Sequence, residues 1–230
     1  MKRFSCKSHN IYCNLGWHRH SVACSTFLVF LKNNYWFYDK ALNPKVCQQI
    51  INYGNSLKEN AGVTSDTSEG TEEDKNKLAQ IRESRIAWIP QLRWLNIWFW
   101  DFAMNANKSA NWDFDVNMSE QYQFTKYRKG HFYGWHQDCG PDNVGDGLQR
   151  KLSLVCTLTD PSEYEGGQLE ICDPQMSPIR KLEDKIHSEE QWFNQGTVII
   201  FPSHMWHQVK KVTQGTRYSL VTWFRGKEFE

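Results

Sequence analysis

The chain has 230 residues, with 27 Lys and Arg against 26 Asp and Glu and a net charge of +1. The length is ample for one large domain with an appended arm, and so even a charge balance excludes a protein that coats nucleic acid or an anionic membrane by charge alone. Seven cysteines, odd in number and without a Cys-x-x-Cys pair, fit neither a disulfide framework nor a structural zinc site, so a reducing, cytoplasmic setting is expected.

In chain order, residues 1–34 carry scattered Lys, Arg and His and show no amphipathic period. Their longest apolar run, Val22 to Leu31, is about half the roughly 20 residues that a membrane helix needs, and no small-x-small cleavage site follows it. The expectation is an unpacked N-terminal arm or a misassigned start, with no membrane span. The folded part, 35–226, begins at Tyr35-Trp36-Phe37-Tyr38. Asn43 and Pro44 then read as the N-cap and first residue of a helix through Val46, Ile50 and Ile51 that ends near Leu57. Residues 62–77 are nearly free of apolar side chains and are expected to form a mobile loop or linker. From Ile89 to Ala106, Leu92, Leu95, Phe99 and Phe102 recur at helical spacing, and Trp94 and Trp98 widen the stripe into a strongly buried face.

From Gln121 the apolar period changes to two. Short β-rich runs follow at Gln121–Tyr127, Lys151–Thr159, Gly167–Cys172, Thr197–Phe201, Gln208–Val212 and Arg217–Phe224. Turn signals separate them at Gly140-Pro141-Asp142-Asn143, Asp160-Pro161, Gly166-Gly167, Asn194-Gln195-Gly196 and Gln214-Gly215. Helices followed by many strands predict a mostly β fold with flanking helices, an antiparallel sandwich or jelly roll whose core spans 121–226.

Two segments carry metal-ligand chemistry. His136-Gln137-Asp138 places an imidazole and a carboxylate at alternate positions of an extended chain, so both can reach one ion. His207, at the end of Phe201-Pro202-Ser203-His204-Met205-Trp206-His207, supplies a second imidazole. Two imidazoles and one carboxylate occupy one face of an octahedral ion and leave three positions open, the arrangement of non-haem Fe(II) oxygenases. Taken singly, each His also reads as a hydrogen-bonded structural residue. A third element, Arg217-Tyr218-Ser219, sets a guanidinium and a hydroxyl on one strand face, where together they can hold a carboxylate. His204, three positions before His207, falls in the turn after Ser203 and on the residues alone stays open as the second imidazole. His131 and His187 lack ligand-like partners, Cys139 is a soft thiol beside a hard carboxylate, and Tyr133 and Trp135 either flank the metal or pack the core.

The ordered set Tyr127-x-x-Gly130-x-x-Tyr133-x-x-His136-x-Asp138, Glu165-Gly166-Gly167, Gly196 before Phe201-Pro202-Ser203, His207, Val209 and Gly215-x-Arg217-x-Ser219 resembles the prolyl-4-hydroxylase-like branch of 2-oxoglutarate and Fe(II)-dependent dioxygenases. Its PKHD-type members are the most similar. The resemblance implies a double-stranded β-helix with His136, Asp138 and His207 as iron ligands. It implies Arg217 as partner of the distal 2-oxoglutarate carboxylate, with Tyr127 and Ser219 assisting. It also implies hydroxylation of a C–H bond, of a prolyl or other peptidyl residue, with dioxygen consumed and succinate and carbon dioxide released. L-ascorbate is implied as a reductant for the iron, with no residue assigned to it. Peptides, proteins or small molecules are the expected substrates, and neither nucleic acid nor membrane is an expected partner. Two other readings stay open on the residues alone: a non-catalytic or metal-stabilised β-helix binding module, and a cupin-like metalloenzyme that does not use 2-oxoglutarate.

Overall fold

A computed structural model describes residues 33–62, 81–139, 147–172 and 186–227. The expected arm up to residue 32, the loop 63–77 and the turn signal Gly140-Pro141-Asp142-Asn143 lie outside the described residues. Asn33 and Asn34, assigned to the arm by sequence, are tied to the domain: the Trp112 indole donates to the Asn33 carbonyl at 2.6 Å, and Asn34 pairs with His187 at 3.4 Å.

The first strand, β1, is Trp36–Tyr38, and α1 runs Pro44–Ser56. Asn43 caps α1 as expected, its Oδ1 accepting from the Val46 N–H at 3.0 Å, with Pro44 supplying a preset φ. The helix buries Cys47, Ile50, Ile51 and Gly54. A Cβ at Gly54 would lie 2.5 Å from the Phe124 ring, so only glycine lets the helix sit this close to the sheet. Strands β2 (Asn60–Ala61), β3 (Arg82–Glu83) and β4 (Arg85–Ile89) precede α2, Arg93–Ser109. Here the predicted helix is corrected: Ile89 closes a strand, and Pro90, which lacks a backbone donor, separates it from the helix. The inward stripe of α2 is Leu95, Phe99, Ala103 and Ala106, whereas Trp94 and Trp98 are about two-fifths exposed, against the expected burial.

The β-rich half comprises β5 (Met118–Ser119), β6 (Tyr122–Arg128), β7 (Phe132–His136), β8 (Leu148–Thr157), β9 (Tyr164–Gly166), β10 (Leu169–Cys172), β11 (Ile186–His187), β12 (Val198–Pro202), β13 (Trp206–Val209) and β14 (Val212–Lys227). The expected turn at Gln214-Gly215 is instead a bulge inside β14. Gly215 has φ +73°, and a side chain there would meet the Glu163 carbonyl.

Among the described residues the strands form two sheets. Nine strands run β1-β12-β8-β14-β6-β4-β2, with β5 and β9 paired to β14, and five run β11-β10-β13-β7-β3. One core lies between the helices and the large sheet, where Leu154, Leu220, Phe224 and Tyr122 meet Leu95 and Phe99. The other lies between the sheets, where Tyr127, Val155 and Ile199 meet Ile171, Met205 and Val209. Strand alternation therefore gives β14 two faces: Leu220 and Phe224 toward the helices, Arg217, Ser219, Val221 and Trp223 toward the second sheet.

Candidate active site

His136 ends β7 and His207 lies on β13; the strands pair antiparallel with these two residues directly opposite. Asp138 follows two positions after His136 and is fastened to the turn after β12 by its backbone N–H, which donates to the Ser203 carbonyl at 2.9 Å. One ligand atom from each of the three lies within 4.8 Å of the others. The carboxylate oxygens stand 3.7 Å from His136 Nε2 and 3.4 Å from His207 Nε2.

Each candidate ligand is oriented from behind. His136 Nδ1 donates to the Gly134 carbonyl at 2.8 Å, and His207 Nδ1 donates to the Met205 carbonyl at 3.0 Å. With Nδ1 carrying the proton, the Nε2 lone pair of each ring is aimed at the cluster. Asp138 Oδ2 accepts from Ser153 Oγ at 2.6 Å, and that hydroxyl contacts Ser203 Oγ at 3.0 Å. The Tyr133 ring stacks on His136 with centroids 3.5 Å apart, and Phe201 packs on His207 at 4.7 Å.

The electrostatics favour the ligand-competent forms. Burial, reinforced by the charge of His207, pushes the His136 imidazole down to about 3, so it is neutral at physiological pH. Burial would raise the Asp138 carboxyl, but the imidazoles of His207 and His136 and the Arg150 guanidinium hold it well below the usual carboxylate range. Both shifts give the pH dependence the same sign. Between about 3 and 6.5 the unfolded chain takes up a proton that folded His136 refuses, and unfolded Asp138 also protonates first as pH falls further. The metal-free protein is therefore expected to lose stability on acidification, on the order of 2 kcal/mol from His136 alone by pH 5. Urea unfolding at pH 7 and pH 5 checks this; equal or greater stability at pH 5 contradicts it.

Beyond the triad, β14 places Arg217 opposite Tyr127 of β6, and Ser219 between Thr125 of β6 and Thr157 of β8. Arg217 is 2% exposed, its guanidinium carbon lies 5.7 Å from the Tyr127 ring centroid, and its Nη1 is buried without a hydrogen-bond partner. An unpaired buried guanidinium N–H is costly, and a ligand carboxylate is the acceptor that would relieve it. Burial raises the Tyr127 hydroxyl, with Arg82 and Arg217 opposing and Asp138 adding to the rise, so Tyr127 lies within electrostatic reach of both the guanidinium and the triad. The Gly166-Gly167 turn makes room for this arrangement. A Cβ at Gly167 would stand 3.0 Å from Arg217 Cδ, and at Gly166, where φ is +76°, 2.3 Å from the Lys211 carbonyl.

The structure thus gathers His136, Asp138 and His207 into one cluster and sets Arg217, Tyr127 and Ser219 on the adjoining inward face. His204 does not join them; its carbonyl accepts from Gln137 and its ring faces Phe114 at 6.4 Å. His131 lies 3.8 Å from Glu83, and His187 packs beside Tyr35. Burial, together with the charge of Asp138, raises the Cys139 thiol above its ordinary range, which disfavours a thiolate ligand. Sequence reasoning missed Ser153. Its signal was a small polar residue alternating with Leu152 and Leu154 in an otherwise apolar run. Ser153→Ala is expected to weaken divalent-metal binding by about tenfold while leaving the fold intact, since it frees one carboxylate oxygen from its donor. Equilibrium dialysis with Co(II) measures this, and unchanged affinity counts against the orienting role.

Two antiparallel sheets enclosing a His-x-Asp…His cluster beside a buried arginine make a double-stranded β-helix with a candidate facial metal site. The sequence profile of the 2OG-Fe(II) oxygenase superfamily matches residues 122–225. PKHD-type hydroxylases from Idiomarina loihiensis and Prochlorococcus marinus are 31% and 37% identical over 99 and 102 residues. These matches cover 43% and 44% of this chain, and the chain spans only 38% and 40% of the length of those relatives. The fold is shared with a Pseudomonas putida prolyl-4-hydroxylase, with TM-score 0.57 and 21% identity over 85% of this chain and 94% of the other. It is likewise shared with a Trichoplax adhaerens prolyl hydroxylase solved with a hypoxia-inducible-factor peptide, with TM-score 0.58 and 19% identity over 84% of this chain and 83% of the other.

Proposed function

We propose that this protein is an Fe(II) and 2-oxoglutarate-dependent dioxygenase that hydroxylates a C–H bond of a prolyl or other peptidyl residue, releasing succinate and carbon dioxide. The observation that carries this reading is the pairing of the triad with the unpartnered Arg217 Nη1 on the inward face of the same sheets. A structural ion would need the triad but not the orphaned guanidinium. When bound, Fe(II) supplies the redox chemistry that couples dioxygen and 2-oxoglutarate to substrate oxidation.

The chain's own residues then have distinct tasks. His136, Asp138 and His207 hold the metal through Nε2, carboxylate and Nε2. Ser153 and the Gly134 and Met205 carbonyls keep those atoms aimed. Arg217 binds the far carboxylate of 2-oxoglutarate, with Tyr127 and Ser219 adding hydroxyl contacts. The apolar residues between the sheets, among them Val155, Phe201 and Met205, exclude water around these groups.

Peptidyl substrates are favoured by the prolyl hydroxylases among the structural neighbours, one of them solved with a peptide. L-ascorbate would serve as reductant. The catalytic domain is read as 35–226 with its β-helix core at 121–226, in a cytoplasmic setting. Among the described residues no helix is long and apolar enough to cross a membrane. The test is substrate-free turnover: aerobic protein with Fe(II) should convert 2-oxoglutarate slowly to succinate, and His207→Ala should not. A silent binding module or a cupin-like enzyme predicts no succinate from either.

A further inference from the structure

We propose that Arg82 is a positioning residue for the metal site, acting through Tyr133 on His136; this rests on the metal-site reading above. Arg82 lies on β3, upstream of the segment that matches the superfamily profile, and pairs in register with Tyr133 of β7. It is 5% exposed, and its guanidinium carbon lies 4.4 Å from the centroid of the Tyr133 ring. On that ring the His136 imidazole stacks at 3.5 Å with an interplanar angle of 12°. Arg82 also hydrogen-bonds the Tyr133 side chain, so it holds the phenol that stacks on His136. The contacts run from Arg82 through Tyr133 to His136 and end on a candidate ligand.

The outer end is itself fixed. Arg82 Nε donates to Ser84 Oγ at 2.8 Å, and the Gly62 N–H donates to the Ser84 carbonyl at 3.0 Å. A Cβ at Gly62 would stand 2.2 Å from Ser84 Oγ and 2.6 Å from Arg82 Nε, so the chain closes tightly over the guanidinium. A cation over an aromatic face is attracted by the ring quadrupole and, when buried, holds the ring firmly. The Gly134 carbonyl fixes the protonated edge of the imidazole but leaves rotation about that hydrogen bond. The stack removes that freedom by setting the plane of the ring. Among the described residues the His207 ring meets Phe201 and His136 at tilted angles and has no parallel stacking partner, so the stack from β3 reaches His136 first.

The test is Co(II) titration of anaerobic, 2-oxoglutarate-free protein, followed by the visible d–d bands, which report ligand geometry independently of turnover. Arg82→Ala is expected to weaken Co(II) about tenfold and to alter the band shape, the usual effect of removing an orienting group behind a ligand. Arg82→Lys, which keeps a cation but not a plane, should fall between it and wild type. If Arg82→Ala does not fold, Arg82→Lys and Ser84→Ala are read by the same titration, and weakened binding with altered bands in either supports the proposal. Wild-type affinity and bands in the folded variants overturn it, and so does a loss of turnover with the Co(II) complex unchanged, which would make Arg82 a substrate contact. Wild-type protein that binds no Co(II) refutes the metal site itself, a result distinct from failure of the stack.

Discussion

His136→Ala, Asp138→Ala and His207→Ala are each expected to abolish measurable Fe(II) binding and all coupled turnover, while His204→Ala retains both. The contrast follows from geometry. The three ligand atoms converge within 4.8 Å, and each is aimed by a hydrogen bond from behind, whereas His204 is tied by its carbonyl to Gln137 and faces Phe114. Losing one of the three would leave an ion with two protein donors and weaken its hold. Asp138→Ala removes the only carboxylate of the cluster and also leaves the Ser153 hydroxyl without its acceptor. Isothermal titration with Fe(II) under anaerobic conditions, on variants whose circular dichroism matches wild type, measures all four. Loss of binding in His204→Ala but not in His207→Ala would reassign the ligand.

Arg217→Ala should weaken 2-oxoglutarate by about 2 to 5 kcal/mol while leaving metal affinity in the absence of co-substrate nearly unchanged. The guanidinium is buried with Nη1 unpaired, so it carries a desolvation cost in the free protein that a bound carboxylate would offset. A consequence separates function from structure: Arg217→Ala should not lower the stability of the ligand-free protein in proportion, and removing an unpaired buried charge can raise it. Arg217→Lys keeps the charge but loses the planar fork, so it should fall between. Titration of 2-oxoglutarate into metal-loaded protein decides; an unchanged dissociation constant for Arg217→Ala would make Arg217 a structural strand residue.

Much of this was legible in the sequence because the relevant physics is local. Asn43-Pro44 caps a helix through its own backbone and side chain, and period-two alternation in 122–128 and 148–157 directs Tyr127 and Thr157 to one face regardless of tertiary context. The Arg-x-Ser spacing encodes shared direction, which β14 preserves, whereas the His-x-Asp spacing runs past the end of β7, where the Ser203 carbonyl holds the Asp138 N–H. What sequence reasoning misplaced depends on neighbours distant in the chain. Trp94 and Trp98 fit an apolar helical stripe, yet the sheet is covered by the adjacent face of Leu95 and Phe99. Gly215 looks like a turn until Glu163 is seen pressing against it inside one long strand. Ser153 and Arg82 carry no motif of their own, because each acts through a residue brought to it by strand pairing: Ser153 through Asp138, and Arg82 through Tyr133.

The most direct test of the account is anaerobic addition of 2-oxoglutarate to Fe(II)-loaded protein, watched in the visible range. The account predicts a metal-to-ligand charge-transfer band that saturates in wild type and in His204→Ala, needs far more 2-oxoglutarate in Arg217→Ala, and is absent in His207→Ala. No band in the wild-type protein, or an undiminished band in His207→Ala, would contradict it.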